Sequence, residues 1–337
     1  MGHIELARWA DAVLVAPASA DFLARLSAGR GDDLLTTLCL ASAAPLAVAP
    51  AMNQQMWRNA ATQTNIATLH QRGVQVFGPA EGSQACGDVG PGRMLEPTEL
   101  ANLTAGLFAT GTLDGLNVLI TAGPTWEAID PVRGLTNNSS GKMGYAVAEA
   151  AAEAGAQVTL ISGPVALAPP QRATTVRVTS AQEMYNAVHE HISGTDIFIG
   201  VAAVADYRPA TAAESKIKKT AERLALELVR NPDILASVAA LNPAPFTVGF
   251  AAETGDLETQ ARAKLVAKGV DLIAANLVGT AQGGFGADDN SLLLVDATGR
   301  TELPLAPKTQ LARTLLQHIA NRFHAKNRTQ GPRRAHR

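Results

Sequence analysis

Short apolar runs alternate with stretches of helical periodicity along most of the chain. AVLVAP (12–17) reads as a buried strand, DFLARLSAG as a helix stopped by Gly29, and PLAVAP (45–50) as a second strand. NAATQTNIATLHQRG is a helix with a glycine stop, and VQVFGP (74–79) a third strand. Strand and helix in this alternation predict parallel sheets with helices on their faces. GPAEGSQACGDVGPGRM (78–94) follows, with five glycines and two prolines, and is expected to be a long binding loop or lid.

A helix near 97–108 leads to ATGTLDGLN, whose Gly, Thr and Asn content marks a linker. A fresh βαβ series then starts. VLITAG, AQVTLISGP, TVRVT, DIFIGVAAVAD (196–206), FTVGFAAET and VDLIAANLV read as strands, with KMGYAVAEAAAEAG among the helices between them. SLLLVDATGRTELPL reads as an antiparallel hairpin, followed by a closing helix to about His324. The fold class expected is α/β, with two doubly wound, Rossmann-like parallel-sheet domains over 1–111 and 112–325. Residues 326–337, AKNRTQGPRRAHR from Lys326 on, are expected to form a disordered basic tail. The first series opens on the helix of HIELARWAD with no strand before it. Doubly wound domains normally open on a strand whose first turn feeds the phosphate site, so the first domain is expected to be truncated at its N-terminus.

Composition narrows the function classes. Apolar residues make up 47% and charged residues 17%, enough for two cores in 337 residues. A formal charge of −2 offers no electrostatic reason to bind nucleic acid or an acidic membrane. No apolar run is long enough to span a bilayer, and the N-terminus lacks the pattern of a signal peptide. Two cysteines, Cys39 and Cys86, exclude a disulfide scaffold and fit a reducing cytoplasm.

Several stretches can carry chemistry. TNNSSGKMG (136–144) sits between a strand-like run and a helix. It fails as a P-loop: six residues separate Gly134 from Gly141, and Met143 stands where the magnesium-binding hydroxyl belongs. Its residues support two readings equally. One is an anion site on backbone N–H groups at a helix start; the other is a capped helix with Ser139 or Ser140 as N-cap. In GVAAVADYRPATAAESKIKK a strand is expected to end at Asp206, well placed for a ribose or a metal ion. Lys216, Lys218 and Lys219 then form either a polyphosphate clamp or a solvated lysine run. In the first half, VAPASADF and APAMNQQMW place small residues and Asn53 just after strands, and Cys86 lies in the glycine-rich loop. No G-x-G-x-x-G follows the first strand of either half, which speaks against a nicotinamide-dependent oxidoreductase.

HIELARWADAVLVAPASAD, VAPAMNQQMW and QACGDVGPGRM, in this order, resemble the flavin-dependent phosphopantothenoylcysteine decarboxylases. ITAGPTWEAIDPVRGLTNNSSGKMG, AAVADYRPA with SKIKK, RNPDIL and VGFAAET resemble the phosphopantothenate–cysteine ligases. Together they resemble the bacterial bifunctional coenzyme A biosynthesis family over about residues 3–323. That resemblance implies FMN and CTP with magnesium as cofactor and co-substrate. It implies His3 as a catalytic base, Asn53 on the substrate carboxylate, Cys86 as a proton donor, and Pro17, Ala18, Ser19, Ala20 and Met52 around FMN. In the ligase half it implies Arg133 and Asn137 in acyl-cytidylate formation and Lys216 in the nucleotide site. Contacts to CTP are implied for Ser139, Ser140, Gly141, Ala203, Asp206, Pro232, Asp233, Ile234, Leu235, Phe250, Lys264 and Lys268. No magnesium ligands are assigned. The resemblance further implies small-molecule substrates, a cytoplasmic location, and homo-oligomers with dimeric ligase and trimeric decarboxylase domains. The second reading within the family is a ligase whose truncated first domain serves only as an assembly scaffold.

Overall fold

The computed structural model describes residues 2–83, 87–218, 222, 224–253, 255–277 and 286–330, without the side chains of residues 277, 329 and 330. Contacts divide the chain into two units, residues 1–109 and 110–337.

The first unit runs α1 (Gly2–Trp9), β1 (Val13–Ala18), α2 (Ala20–Ser27), α3 (Leu34–Ala41), β2 (Leu46–Pro50), α4 (Gln54–Arg58), α5 (Ala60–Gln71) and β3 (Gln75–Val76). A hairpin, β4 (Ala80–Ser83) with β5 (Val89–Arg93), and α6 (Pro97–Gly106) complete it. β1, β2 and β3 pair in that order, all parallel. Val13, Val15 and Val48 of the sheet bury against Leu23, Leu26, Ile66 and Leu69 of α2 and α5. The helices start where side chains accept their orphan amides: Ser19 from Phe22, Asn59 from Ala61, and Asp33 in a capping box with Thr36. The glycine-rich stretch 78–94 corrects the expectation of an irregular loop. β4 and β5 pair antiparallel, with a register shift between Ala80 and Glu81. Its glycines serve the bends of a hairpin: Gly87 has φ +88, a conformation side chains disfavour.

The second unit contains β6 (Asn117–Ala122), β7 (Trp126–Ala128), β8 (Gly134–Thr136), α7 (Lys142–Glu153), β9 (Gln157–Ser162), β10 (Ala173–Arg177), α8 (Ala181–His191), β11 (Ile197–Gly200) and β12 (Tyr207–Pro209). It continues with β13 (Leu228–Arg230), α9 (Ile234–Ala239), β14 (Phe246–Glu253), α10 (Leu257–Lys268), β15 (Leu272–Leu277), β16 (Asp289–Asp296), β17 (Gly299–Pro307) and α11 (Lys308–Gln330). Eight strands form one sheet in the order β10-β9-β6-β11-β14-β15-β16-β17. The first six run parallel, while β16 and β17 form the antiparallel edge that the hairpin pattern predicts. The central strands read as unbroken apolar runs because both faces are covered. Ile120, Leu160, Ile199 and Val248 pack under α7 and α11, and Leu119, Ile161 and Phe198 under α8 and α9.

Two expectations change here. β11 ends at Gly200, not at Asp206. Residues beyond it leave the ladder because their backbone groups bond elsewhere: the Ala203 amide donates to Gly123 O, and the Ala205 amide to Thr125 Oγ1. The closing helix continues past His324 to Gln330, so residues 326–330 are not a disordered tail. The basic residues of its last turns are anchored: Arg322 Nε lies 2.8 Å from Asp296, and Lys326 pairs with Asp271 and sits over the Phe246 ring. The rest of that tail, residues 331–337, lies outside the described residues. Among the described residues no helix is long and apolar enough to cross a membrane.

Candidate active-site crevice

Winding of the second sheet reverses between β6 and β11. Open α/β sheets bind ligands at the carboxyl ends of strands at such a point. Two cavities lie there. One, of about 500 Å³, is lined by Asp206, Pro232, Asp233, Ile234, Leu235, Phe250, Lys264 and Lys268. The other, of about 570 Å³, is lined by Asn137, Ser139, Ser140, Gly141, Ala203, Asp206, Phe250 and Lys264. They share Asp206, Phe250 and Lys264, so the residues expected to contact CTP, Lys216 apart, line two adjoining cavities of one crevice.

Its first wall is the start of α7. The N-cap is Gly141, at φ 77, and no side chain caps the helix. This corrects the expectation of Ser139 or Ser140 as N-cap. A side chain at 141 would strain that φ and bring its Cβ within 2.7 Å of Val165. The Gly141 N–H instead donates to Ser139 Oγ at 3.4 Å. An uncapped helix start beside small residues leaves amide donors available to an anion. Gly144 sets the depth of the wall: a Cβ there would lie 2.5 Å from that of Ala122, so only glycine lets α7 approach β6 this closely.

The floor is the segment after β11. Asn137 donates through Nδ2 to the carbonyls of Ala203 (3.1 Å) and Val204 (3.2 Å). From the other side Asn231 donates through Nδ2 to Ala205 O at 2.8 Å, and its backbone N–H to Asp206 O at 2.9 Å. Asp206 is thus presented by two asparagines that act on the backbone around it.

The far wall carries charge. Asp233 caps α9, accepting from the Ala236 N–H at 3.0 Å, and pairs with Lys268. Burial pushes the Asp233 carboxyl up, but Lys268, the Ala236 amide and Lys264 together hold it below its ordinary value. Lys264 Nζ donates to Phe250 O at 3.2 Å. Burial lowers its ammonium pKa and Lys268 adds to this, while Glu253, Asp206 and Asp233 oppose it. A half-buried cation with a depressed pKa is a group that an incoming anion stabilises.

Arg133 and Lys216 line neither cavity. They are joined by Asp130, a residue the sequence reading passed over. Asp130 is buried, and its carboxylate accepts from the N–H groups of Val132, Arg133 and Ile217 at 2.9, 2.9 and 3.1 Å. Arg133 Nε donates to the same carboxylate at 3.0 Å, and its Nη2 to Ile217 O at 3.0 Å. Arg133 and these amides hold the Asp130 carboxyl far below the usual range. Lys216 is exposed on the segment this hub fixes, and Lys218 is exposed beside it. Lys219 lies outside the described residues. The spacing Asp-Pro-Val-Arg was the available signal, since an aspartate three residues before an arginine can fold back onto it.

In the first unit the expected cofactor residues occupy the ends of β1 and β2. Ala18 is buried; Pro17 and Ser19 are exposed and Ala20 half-buried. The Ala51 N–H donates to Ala18 O at 3.1 Å, joining the two strand ends, and the Met52 N–H donates to Gly92 O at 2.9 Å, docking the hairpin. Asn53 caps α4 and donates through Nδ2 to Asp88 at 2.7 Å. His3 is half-buried on α1, which packs on α3. Cys86 lies outside the described residues.

No group of three His, Cys, Asp or Glu side chains among the described residues could hold a metal ion by itself.

A reversed-winding crevice with an uncapped helix start and converging lysines defines an α/β protein with a charged crevice suited to an anionic ligand, preceded by a smaller parallel-sheet unit. Comparison with known proteins gives the family. Residues 113–323 match the DNA/pantothenate metabolism flavoprotein C-terminal domain, and residues 1–109 match the flavoprotein domain. The chain is 58% identical to the coenzyme A biosynthesis bifunctional protein CoaBC of Vibrio vulnificus over 322 residues, covering 95% of this chain and 80% of that protein. It is 52% identical to the Escherichia coli protein of the same name over 333 residues, covering 97% and 82%. The crystal structure of the C-terminal domain of a CoaBC protein superimposes with TM-score 0.56 at 42% identity, covering 64% of this chain and all of that domain. The chain belongs to the bifunctional coenzyme A biosynthesis family, an enzyme with a flavoprotein decarboxylase domain followed by a phosphopantothenate–cysteine ligase domain.

Proposed function

We propose that the second unit joins 4'-phosphopantothenate to cysteine at the expense of CTP, and that the first unit decarboxylates the product with FMN. The observation that carries the ligase reading is the crevice at the winding reversal. The start of α7 lines one of its cavities and Lys268 the other, while Lys264 and Asp206 line both. A carboxylate and a triphosphate repel one another, and their reaction needs donors and cations fixed where they meet.

In this reading a carboxylate oxygen of 4'-phosphopantothenate bonds to the α-phosphorus, and the bond to the β-bridging oxygen breaks, releasing pyrophosphate. The cysteine amine then adds to the acyl carbon, loses its proton, and displaces CMP. Pro232, Asp233, Ile234, Leu235 and Phe250 line the cytidine side, with Lys264 and Lys268. Ser139, Ser140 and Gly141 face the phosphates. Asn137 positions the segment before Asp206 through the carbonyls of Ala203 and Val204, and Asn231 holds the Asp206 carbonyl. Arg133 and Lys216, presented by the Asp130 hub, serve the acyl-cytidylate and its aminolysis. Magnesium fits as an ion carried largely by the phosphates and water, with Asp206 as the carboxylate both cavities share. It supplies charge neutralisation on the phosphates.

In the first unit, Pro17, Ala18, Ser19, Ala20 and Met52 fit one edge of FMN, since β1 and β2 end there in small residues and Pro17 and Ser19 are exposed. FMN supplies oxidation of the cysteinyl thiol before loss of carbon dioxide and reduction afterwards. Asn53 holds the substrate carboxylate, His3 is the base, and Cys86 returns a proton. A cytoplasmic location and self-association belong to the same reading. Trp126, Val132, Tyr207 and Leu228 are exposed on the small β7–β8 and β12–β13 arms, an apolar surface suited to a second copy.

The test incubates the purified chain with 4'-phosphopantothenate, cysteine, CTP and magnesium, and follows products by mass spectrometry. 4'-Phosphopantetheine is the expected product. Accumulation of 4'-phosphopantothenoylcysteine alone would support the ligase-only reading, and absence of both would overturn the proposal. Equal turnover with ATP would overturn the choice of CTP.

A further inference from the structure

One wall of the second cavity is absent from the first, and it carries two cations, Lys142 and Lys308. Lys308 is 7% exposed, an uncommon state for lysine. Its ammonium donates to the carbonyl of Ala287, and its backbone N–H to Asp288 O at 2.9 Å. Burial depresses its pKa and Lys142 adds to this, with Asp288 and Asp289 opposing. Lys142 is more accessible. Its Nζ donates to Gly286 O at 3.0 Å and to Asp288 Oδ1 at 2.7 Å, and the Asp288 side chain is 88% exposed.

Two neighbouring lysines repel each other, and burying one of them costs more than leaving it in water. The arrangement is disfavoured in the empty protein and relieved by an anion between them and the α7 amides. The same two lysines also line a separate cavity of about 390 Å³ behind the wall. Glu149 lines that outer cavity, so an anion there would meet a carboxylate. The crevice side carries a carboxylate too, Asp206, but there Lys264 and the start of α7, with Ser139, Ser140 and Gly141, join the two lysines. The anion position is therefore on the crevice side.

We propose that Lys308, assisted by Lys142, holds the two terminal phosphates of the nucleotide and then the pyrophosphate they become, with Lys142 exchanging Asp288 for a phosphate oxygen. This rests on the reading of the crevice as a nucleotide site. Both lysines are positioning residues that retain the leaving group through the first half-reaction.

The test measures binding of CTP, CMP and inorganic pyrophosphate, each with magnesium, by calorimetry on the full chain. Loss of one charge-assisted contact predicts that Lys308→Met weakens CTP and pyrophosphate by about tenfold or more, while CMP, which lacks the terminal phosphates, changes by less than about twofold. Lys142→Met moves CTP and pyrophosphate the same way by a smaller factor, and Asp288→Asn tightens pyrophosphate by freeing Lys142. Lys142 and Asp288 are accessible, so these two variants carry the test if Lys308→Met fails to fold. Equal losses for CMP and CTP, unchanged pyrophosphate binding, or no pyrophosphate binding by the unaltered chain would each overturn the proposal. If the unaltered chain bound pyrophosphate but neither CTP nor CMP, the nucleotide reading would fall, and pyrophosphate binding to the variants would still decide the role of Lys308.

Discussion

The two units share a βαβ rhythm and differ in how a site is made from it. In the second unit the sheet reverses its winding, and the reversal opens a crevice walled by the start of α7, the segment after β11, the start of α9 and the end of α10. Its charged groups already hold partners, Lys268 with Asp233 and Lys142 with Asp288, and outside the two cavities Arg133 pairs with Asp130. In the first unit β1, β2 and β3 lie in sequential order without a reversal. Asn53 and the residues expected around FMN sit at two adjacent strand ends, with β5 docked against them through Met52 and Gly92. The difference teaches that a preorganised charged crevice follows from a change of winding, whereas strand ends alone offer a surface. It also predicts that the two activities can be removed separately.

The largest expected effect is in the second unit. Lys216→Gln should lower ligation by two to three orders of magnitude, roughly the loss seen when one charge-stabilising donor is removed. Decarboxylation of supplied 4'-phosphopantothenoylcysteine should be unchanged, as should the melting temperature, because Lys216 is exposed. Asp130→Ala should match the ligation loss and also lower the melting temperature, since it strands the amides of Val132, Arg133 and Ile217. Release of pyrophosphate and CMP from the two variants checks this. If Asp130→Ala left ligation intact, Arg133 and Lys216 would owe nothing to the hub.

Asn53→Ala is the counterpart in the first unit. Removing the side chain expected on the substrate carboxylate should cost decarboxylation about a hundredfold and leave ligation untouched, so that 4'-phosphopantothenoylcysteine accumulates. A parallel fall in both activities would show that the units do not separate as their different architectures imply.

How far the sequence revealed this molecule follows the same division. The parallel strands and the closing hairpin were readable because unbroken apolar runs and small-residue turns mark buried strands and their carboxyl ends, whereas most residues lining the crevice were named only through the family resemblance. Three features were not readable. The stretch 78–94 reads as loop because its glycines mask an antiparallel pairing that only the partner strand reveals. Asp130 and Asn231 are silent because their work is done on backbone groups 87 and 26 residues away in sequence. Lys308 is silent because a lysine after a proline at a helix start looks like a solvated residue, and its burial depends on Lys142 and α7 arriving from the far side of the unit.

A smaller effect concerns Lys264 and pH. Its pKa is depressed in the free protein, chiefly by burial. A bound triphosphate favours the charged form and raises it again. CTP binding should therefore take up protons at alkaline pH, and affinity should fall as pH rises through a value below that of an ordinary lysine. Calorimetry in buffers of different ionisation enthalpy checks this. The stability sign is opposite. A lysine whose folded pKa is lowered destabilises the fold at low pH, and that cost is relieved as pH rises from the folded towards the unfolded pKa. Lys264→Met should therefore weaken CTP by roughly thirtyfold, the scale of a lost charge contact, without lowering the melting temperature at neutral pH. A variant that lost both affinity and stability would mark Lys264 as structural.

The smallest effect separates two roles of Ser19. The side chain caps α2, accepting from the Phe22 N–H at 3.1 Å, and it stands where a flavin edge is expected. A cap of this kind stabilises its helix by about 1 kcal/mol. Ser19→Ala should therefore speed hydrogen exchange at the first amides of α2 by about fivefold, with Ser19→Thr restoring protection. If capping is its whole contribution, FMN affinity should fall no further than this local loosening explains. A much larger fall in FMN affinity with the same exchange change would mean that the hydroxyl also contacts the cofactor. The exposed end of β1 would then be a built phosphate or ring contact of the kind that the crevice of the second unit displays openly.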